Sequence, residues 1–222
     1  MPIVRGSFKS WARSRLEREI AFCTSLWAIA GTGAITEDST LATLVAAELT
    51  TTGYQRLNVR PATTPAIAWD DTARQWQTPQ TSYASPIPGG TVLLSRWIAV
   101  IANGTGWASV PISSVASSTL SFPTPAGFTL ATGDRVIVSG TLPAEINASQ
   151  IYTLQSVTTS SGTTSAQLRA VGASTNLTIS GSPTGLRLRN ASGEVRSFWD
   201  LGENYPAVTE WRVLTNFVES LL

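Results

Sequence analysis

The sequence predicts a mainly β fold that is α+β only at its N-terminus, and three observations carry that expectation. Apolar residues recur at three- and four-residue intervals only before Gly53, which is the spacing of a helix face. From Tyr54 onward the chain is a succession of short strand-forming runs divided by turn residues. Charged residues make up 13% of the 222 residues, against about a quarter in an ordinary soluble domain. With 42% apolar residues the chain has the hydrophobicity to fold. Its sparse charge favours burial of surface in an assembly.

Taken in order, SWARSRLEREIAF predicts a first helix, with Ser14 and Glu17 at capping-box spacing and Leu16 one turn from Ile20. SLWAIAG, ending at Gly31-Thr32-Gly33, predicts a buried strand. The lone Cys23 reads as a small core residue. STLATLVAAELT predicts a second helix, capped by Ser39 or Asp38, with Leu41, Leu44, Val45 and Leu49 on one face and Gly53 as its terminator. AWDDTARQW predicts a hairpin whose strands carry Trp69 and Trp76 and whose connection begins at Asp70–Asp71. TVLLSRWIAVIANG has the length and apolarity of a central strand.

Between residues 109 and 185 the composition turns to Ser, Thr and Gly, and no Trp occurs. STLSF, DRVIVSG, IYTLQSV, SAQLRAV and NLTIS predict the strands of a small all-β module. In RVIVS, Val136 and Val138 share one face and Ile137 takes the other, while Thr132-Gly133-Asp134 forms the preceding turn. LRLR and EVRSFW then predict a hairpin, and EWRVLTNFV a closing strand. Seven of the eight Trp lie in residues 11–97 or 199–211, with Trp107 at the seam. That distribution predicts a split domain, residues 1–108 and 186–222, with an antiparallel sandwich-like β core. The module, residues 109–185, is inserted at one of its loops, because long insertions at loop tips cost little.

Histidine is absent, which removes Ser-His-Asp and Cys-His catalysis and the usual proton shuttle. One cysteine excludes a multi-thiolate zinc site within the chain. The sole lysine, Lys9, lies in no phosphate-binding loop. No catalytic residue, metal site or cofactor is expected. Net charge is +1, too small for a nucleic-acid surface. No segment has the apolar length of a membrane span or a signal core, so synthesis in the cytoplasm without membrane insertion is expected. Asp134 and Arg135 read as a turn and a strand start, with Arg135 facing solvent.

The segments VRGSFKSW, LEREIAFCTSLWAIAGTGA and STLATLVAAELTTTGYQRLNV resemble virion structural proteins of tailed bacteriophages, cyanophages especially. There a helix runs into a G-Y-x-R segment, matched by Gly53, Tyr54 and Arg56, and then into a β-rich domain. TGDRVIVSGTLPAEINASQIYTLQSV is similar to small β-domains repeated in phage tail fibres. The matching positions are Thr132, Gly133, Asp134 and Val136, then Gly140 to Ala144, then Tyr152.

The resemblance implies a non-enzymatic virion component in the infected host. It is expected at the tail, as a short fibre, fibre adaptor or baseplate-peripheral protein that docks on other virion proteins. A homo-oligomer is expected, and the resemblance implies a trimer. Arg5, Lys9, Trp11, Arg13, Arg15 and Arg18 of the N-terminal segment are the candidate docking residues. Two alternatives stay open. One is a cement protein clamping the major capsid protein; the other is a carbohydrate-binding module stacking host-surface glycan on Trp69, Trp76 and Trp107.

Overall fold

A computed structural model describes residues 13–18, 20–21, 23–61, 65–148, 150–180, 183–215 and 218–220. These residues are mostly β, in several antiparallel sheets with two helices. The first helix, α1, includes residues 13–18 and 20–21, and buries Leu16 and Ile20 as their spacing predicts. Arg13 is already helical, so Ser14 lies inside the helix and is not its cap. Its carbonyl accepts from Arg18 Nε at 3.3 Å.

Strand β1 (Leu26–Gly31) is buried on both faces. Leu26, Ala28 and Ala30 enter one apolar cluster with Cys23, and Ile29 enters another. Helix α2 (Leu41–Ala47) starts one residue later than predicted. Thr40 is its cap, with Oγ1 accepting from the Thr43 N–H at 3.2 Å. Ser39 is engaged in the preceding turn, accepting from the Thr36 N–H at 2.9 Å. The helix also stops well before Gly53. Glu48 leaves it with extended backbone and bridges to Gly31. Gly53, at φ +86°, closes a later turn in which the Tyr54 N–H donates to the Thr51 carbonyl at 3.0 Å.

The strands β2 (Leu57–Asn58), β3 (Ala68–Asp70), β4 (Gln75–Gln77), β5 (Thr81–Pro86) and β6 (Leu93–Ala102) follow. As its apolar run predicts, β6 is central. It pairs with β1 on one side and with β14 (Glu194–Ala207) on the other, in a sheet of order β14-β6-β1-β2. β3 and β4 form the predicted hairpin, with Trp69 opposite Trp76 and Asp70 Oδ1 accepting from the Thr72 and Ala73 N–H groups. The predicted closing strand is two strands. β15 (Glu210–Thr215) pairs with β5, and β16 (Val218–Ser220) pairs with β4.

β7 (Ser109–Pro111), β8 (Ser114–Ala116), β9 (Thr119–Pro123), β10 (Arg135–Ser139), β11 (Tyr152–Ser160), β12 (Thr163–Ala170) and β13 (Arg187–Asn190) make one seven-stranded sheet. Its order is β7-β13-β10-β11-β12-β9-β8. The predicted LRLR–EVRSFW hairpin does not form. β13 pairs with β10 and β7, whereas β14 pairs with β6. Alternation is the same in both runs, and it does not say which sheet a strand joins. NLTIS is not a strand either. It packs beside β12 as a loop, with Ile179 buried and the Leu177 N–H on the Leu168 carbonyl at 2.7 Å.

Three apolar clusters hold these parts. One fills the seven-stranded unit and includes Phe122, Val136, Val138, Leu154, Leu168 and Leu188. A second lies between the four-stranded sheet and the β5–β15 ribbon, where Val100 meets Trp211 and Val213. The third is shared: Ile29, Trp97, Ala99 and Ile101 of the four-stranded sheet, Leu44 and Val45 of α2, and Ile137 of β10. Helix α2 therefore lies between the two sheets. The Ile137 face predicted from RVIVS exists, and it is covered by α2. Gly31 permits the close approach, since a Cβ there would stand 2.1 Å from Trp97 Cζ2 and 2.4 Å from the Ala47 carbonyl oxygen.

Candidate functional site: a buried polar junction and the cleft beside it

Where α2 ends, it presents its last carbonyls and the Glu48 side chain toward the seven-stranded unit. Helix C-termini leave carbonyls without partners, and here a distant arginine supplies them. Arg189 Nη1, from β13, donates to the carbonyls of Val45 at 3.0 Å and Glu48 at 2.7 Å. Its Nε donates to Ser139 Oγ at 2.8 Å. A cation at this end also suits the helix dipole.

The Glu48 carboxylate receives a two-pronged guanidinium. Arg56 Nε reaches Oε1 at 2.8 Å and Nη2 reaches Oε2 at 2.6 Å, the geometry in which Arg binds carboxylate most strongly. The Tyr54 O–H donates to Oε1 at 3.0 Å, and its oxygen accepts from the Ala30 N–H at 2.9 Å. That N–H lies beyond the short β1–β2 pairing, which reaches only Trp27 and Ala28. Arg56 also donates to the Thr105 carbonyl at 3.1 Å and the Asn190 carbonyl at 2.9 Å. One side chain thus joins the helix end, the strand-connecting loop and β13.

Glu48, Arg56 and Arg189 are buried, with Tyr54 half-buried beside them, and the charges respond. Burial, and then the Glu48 charge, push the Tyr54 hydroxyl well above its ordinary value. Burial alone would lower Arg56, but attraction and hydrogen bonding to Glu48 outweigh it and raise the guanidinium. Burial lowers Arg189, repulsion from Arg187 and Arg56 adds to that, and Glu48 opposes it. Breaking such a pair by removing one partner typically costs about 3–5 kcal/mol. The arrangement holds the helix end, the 49–56 loop and β13 together.

Beside the junction a cleft of about 700 Å³ opens between the 49–56 loop and residues 106–110, 125–128 and Arg187. Trp27, Tyr54 and Phe128, all half-buried, lie along it with Thr50, Thr51 and Thr52. Gly106 is packed against the Trp27 ring, where a Cβ would come within 2.3 Å of Cη2.

Of the sequence-predicted residues, Arg5, Lys9 and Trp11 lie outside the described residues. Arg13, Arg15 and Arg18 are exposed on α1. Arg13 pairs with Glu17 at 2.9 Å and sits 5.5 Å over the Trp76 ring. Trp69 and Trp76 meet edge-on, centroids 5.5 Å apart, and the Trp69 Nε1–H donates to Asp71 at 2.7 Å. The structure therefore brings one docking candidate and two stacking candidates together. Trp107 lies elsewhere, packed into the core of the seven-stranded unit and along the cleft. Asp134 forms the predicted turn, its Oδ2 accepting from the Ala131 N–H at 2.9 Å, and Arg135 is exposed.

Sequence reading did not single out Glu48 or Arg189. A carboxylate at the end of an apolar helix run was the available signal for Glu48, while its contact with Arg189 spans 141 positions. Among the described residues, no group of three or more His, Cys, Asp or Glu is placed to hold a metal ion. No helix among them is long and apolar enough to cross a membrane. No protein-family model, curated protein or solved structure matches the chain.

Proposed function

We propose that the chain is a non-enzymatic structural component of a tailed-bacteriophage virion, tail-associated, in which a sandwich-like base docks on the particle and carries the seven-stranded module. The observation that carries this reading is the double attachment of module to base, by the α2 cluster and by the Glu48–Arg56–Arg189 junction. A part whose role is geometric needs its projecting element held at a fixed angle. The residues that bear the resemblance support it too. Gly133, at φ +101°, and Asp134 make the turn into β10, and Tyr152 opens β11 with its hydroxyl accepting from the Asn147 N–H at 2.9 Å.

Self-association belongs to the same reading. β14 is a 14-residue strand at the edge of its sheet, and it exposes Trp199 and Tyr205 at 51% and 49%. An open edge of that length with apolar side chains is a surface that proteins ordinarily cover. Immunogold labelling of intact virions tests the placement. Label on the tail is expected; label on the capsid alone favours the cement-protein alternative, and particles free of label overturn the reading.

A further inference from the structure

We propose that the cleft between base and module is a binding site for a carboxylated sugar, a ring of the uronic-acid class whose carboxylate is taken by Arg187. The inference concerns the isolated protein and stands independently of where the chain sits on a particle.

The charge around the junction does not balance. Arg56 and Arg187 both repel Arg189, and among the described residues the carboxylate that opposes them there is Glu48. Glu48 is fully engaged by Arg56 and Tyr54. Arg187 is half-buried and lines the cleft, yet among the described residues it makes no ion pair. Its hydrogen bond there is from Nη2 to Ser109 Oγ at 2.9 Å, and its buried Nε has no partner. A half-buried guanidinium without a counter-charge is a costly arrangement, and a planar carboxylate is the group its fork fits best.

The remaining lining selects the class of ligand. A polyphosphate or nucleic-acid strand draws on several cations, and among the described residues Arg187 is the only charged lining residue other than the committed Arg56. The half-buried aromatic side chains of Trp27, Tyr54 and Phe128 offer apolar surface for a pyranose ring. The hydroxyls of Thr51 and Thr52, both exposed at the mouth, match its hydroxyl groups. An extended peptide is less well served. β7 borders the cleft at a sheet edge but ends in Pro111, which has no N–H to give an added strand. The volume, about 700 Å³, lies in the range of small-ligand sites.

Isothermal titration calorimetry of the full chain against trigalacturonate tests this. Maltotriose, inorganic phosphate and a tri-glutamate peptide serve as comparison titrants. Saturable binding of trigalacturonate, at least tenfold tighter than any of the three, is expected. Arg187→Gln should weaken it tenfold or more, and Arg135→Gln, an exposed arginine away from the cleft, should leave it unchanged. Thr52→Trp, which obstructs the mouth from an exposed position, should abolish binding with the melting temperature unaltered. It keeps the test decisive if Arg187→Gln misfolds. No heat of binding at millimolar ligand would overturn the proposal. So would binding indifferent to Arg187→Gln and Thr52→Trp, or phosphate or peptide binding as tightly as the sugar.

Discussion

The seven-stranded unit and the base are both β, but they hold together by different means. In the module, β8–β9 and β11–β12 pair between strands adjacent in sequence, while β9–β12, β10–β13 and β7–β13 pair across long stretches of chain that all lie inside residues 109–190. The base is built from ends of the chain. β14 and β15 return from beyond the module to flank β6 and β5, and the Trp211 Nε1–H closes on the Gln55 carbonyl at 2.8 Å. A unit whose strands pair within one continuous segment tolerates being carried as an insert; a unit whose strands come from both sides of that segment depends on how the insert returns the chain. The junction at Glu48 lies where that return occurs, since Arg189 and Asn190, whose carbonyl Arg56 engages, are the last two residues of β13. The lesson is that the polar groups were placed at the seam, where apolar packing alone fixes neither angle nor register.

The largest losses are expected at that seam. Glu48→Ala leaves Arg56 and the Arg189 region with uncompensated buried charge, and should destabilise the chain by about 3–5 kcal/mol in urea denaturation. Ile137→Ala should cost about 2–4 kcal/mol, because the residue is fully buried against α2 and both sheets. Were Ile137 simply the outer face of the module, the loss would be far smaller. Gly31→Ala places a methyl against Trp97 and the Ala47 carbonyl, and should cost about 1–3 kcal/mol in the same assay.

Those three positions also mark what the sequence made legible. Local signals read true. The apolar run of β6, the turn at Asp134, the Asp70 turn between two Trp strands and the buried Leu16 and Ile20 all depend on neighbours within a few residues. Ile137 was legible as a face but not as a seam, since alternation states that a side chain turns away from Val136 and says nothing of what meets it. The LRLR run was misassigned for the same reason. Gly53 carried correct chemistry at the wrong place, because the end of α2 is also set by what it packs on, here Gly31 and Trp97. The Glu48–Arg189 contact was beyond reach, being set by the path of the module and not by any spacing.

Tyr54 makes the seam sensitive to pH. Its folded pKa is raised above the unfolded value near 10, so its contribution to stability is fully present below about pH 10. Above that, the unfolded chain loses the phenolic proton while the folded chain keeps it, and stability falls as pH rises. Tyr54→Phe should cost about 1–2 kcal/mol at neutral pH and remove that share of the alkaline loss, read as a flatter slope of unfolding free energy above pH 10. The smallest effect belongs to the surface. Arg13→Ala gives up an exposed stack on Trp76 and an exposed pair with Glu17, worth about 0.5–1 kcal/mol together.

The account rests on base and module behaving as one body, and differential scanning calorimetry of the full chain tests it directly. One transition, with calorimetric and van't Hoff enthalpies equal, is the predicted result for the native sequence, and Glu48→Ala should split it into two. Two resolved transitions in the native chain, or one unchanged transition in Glu48→Ala, would contradict it.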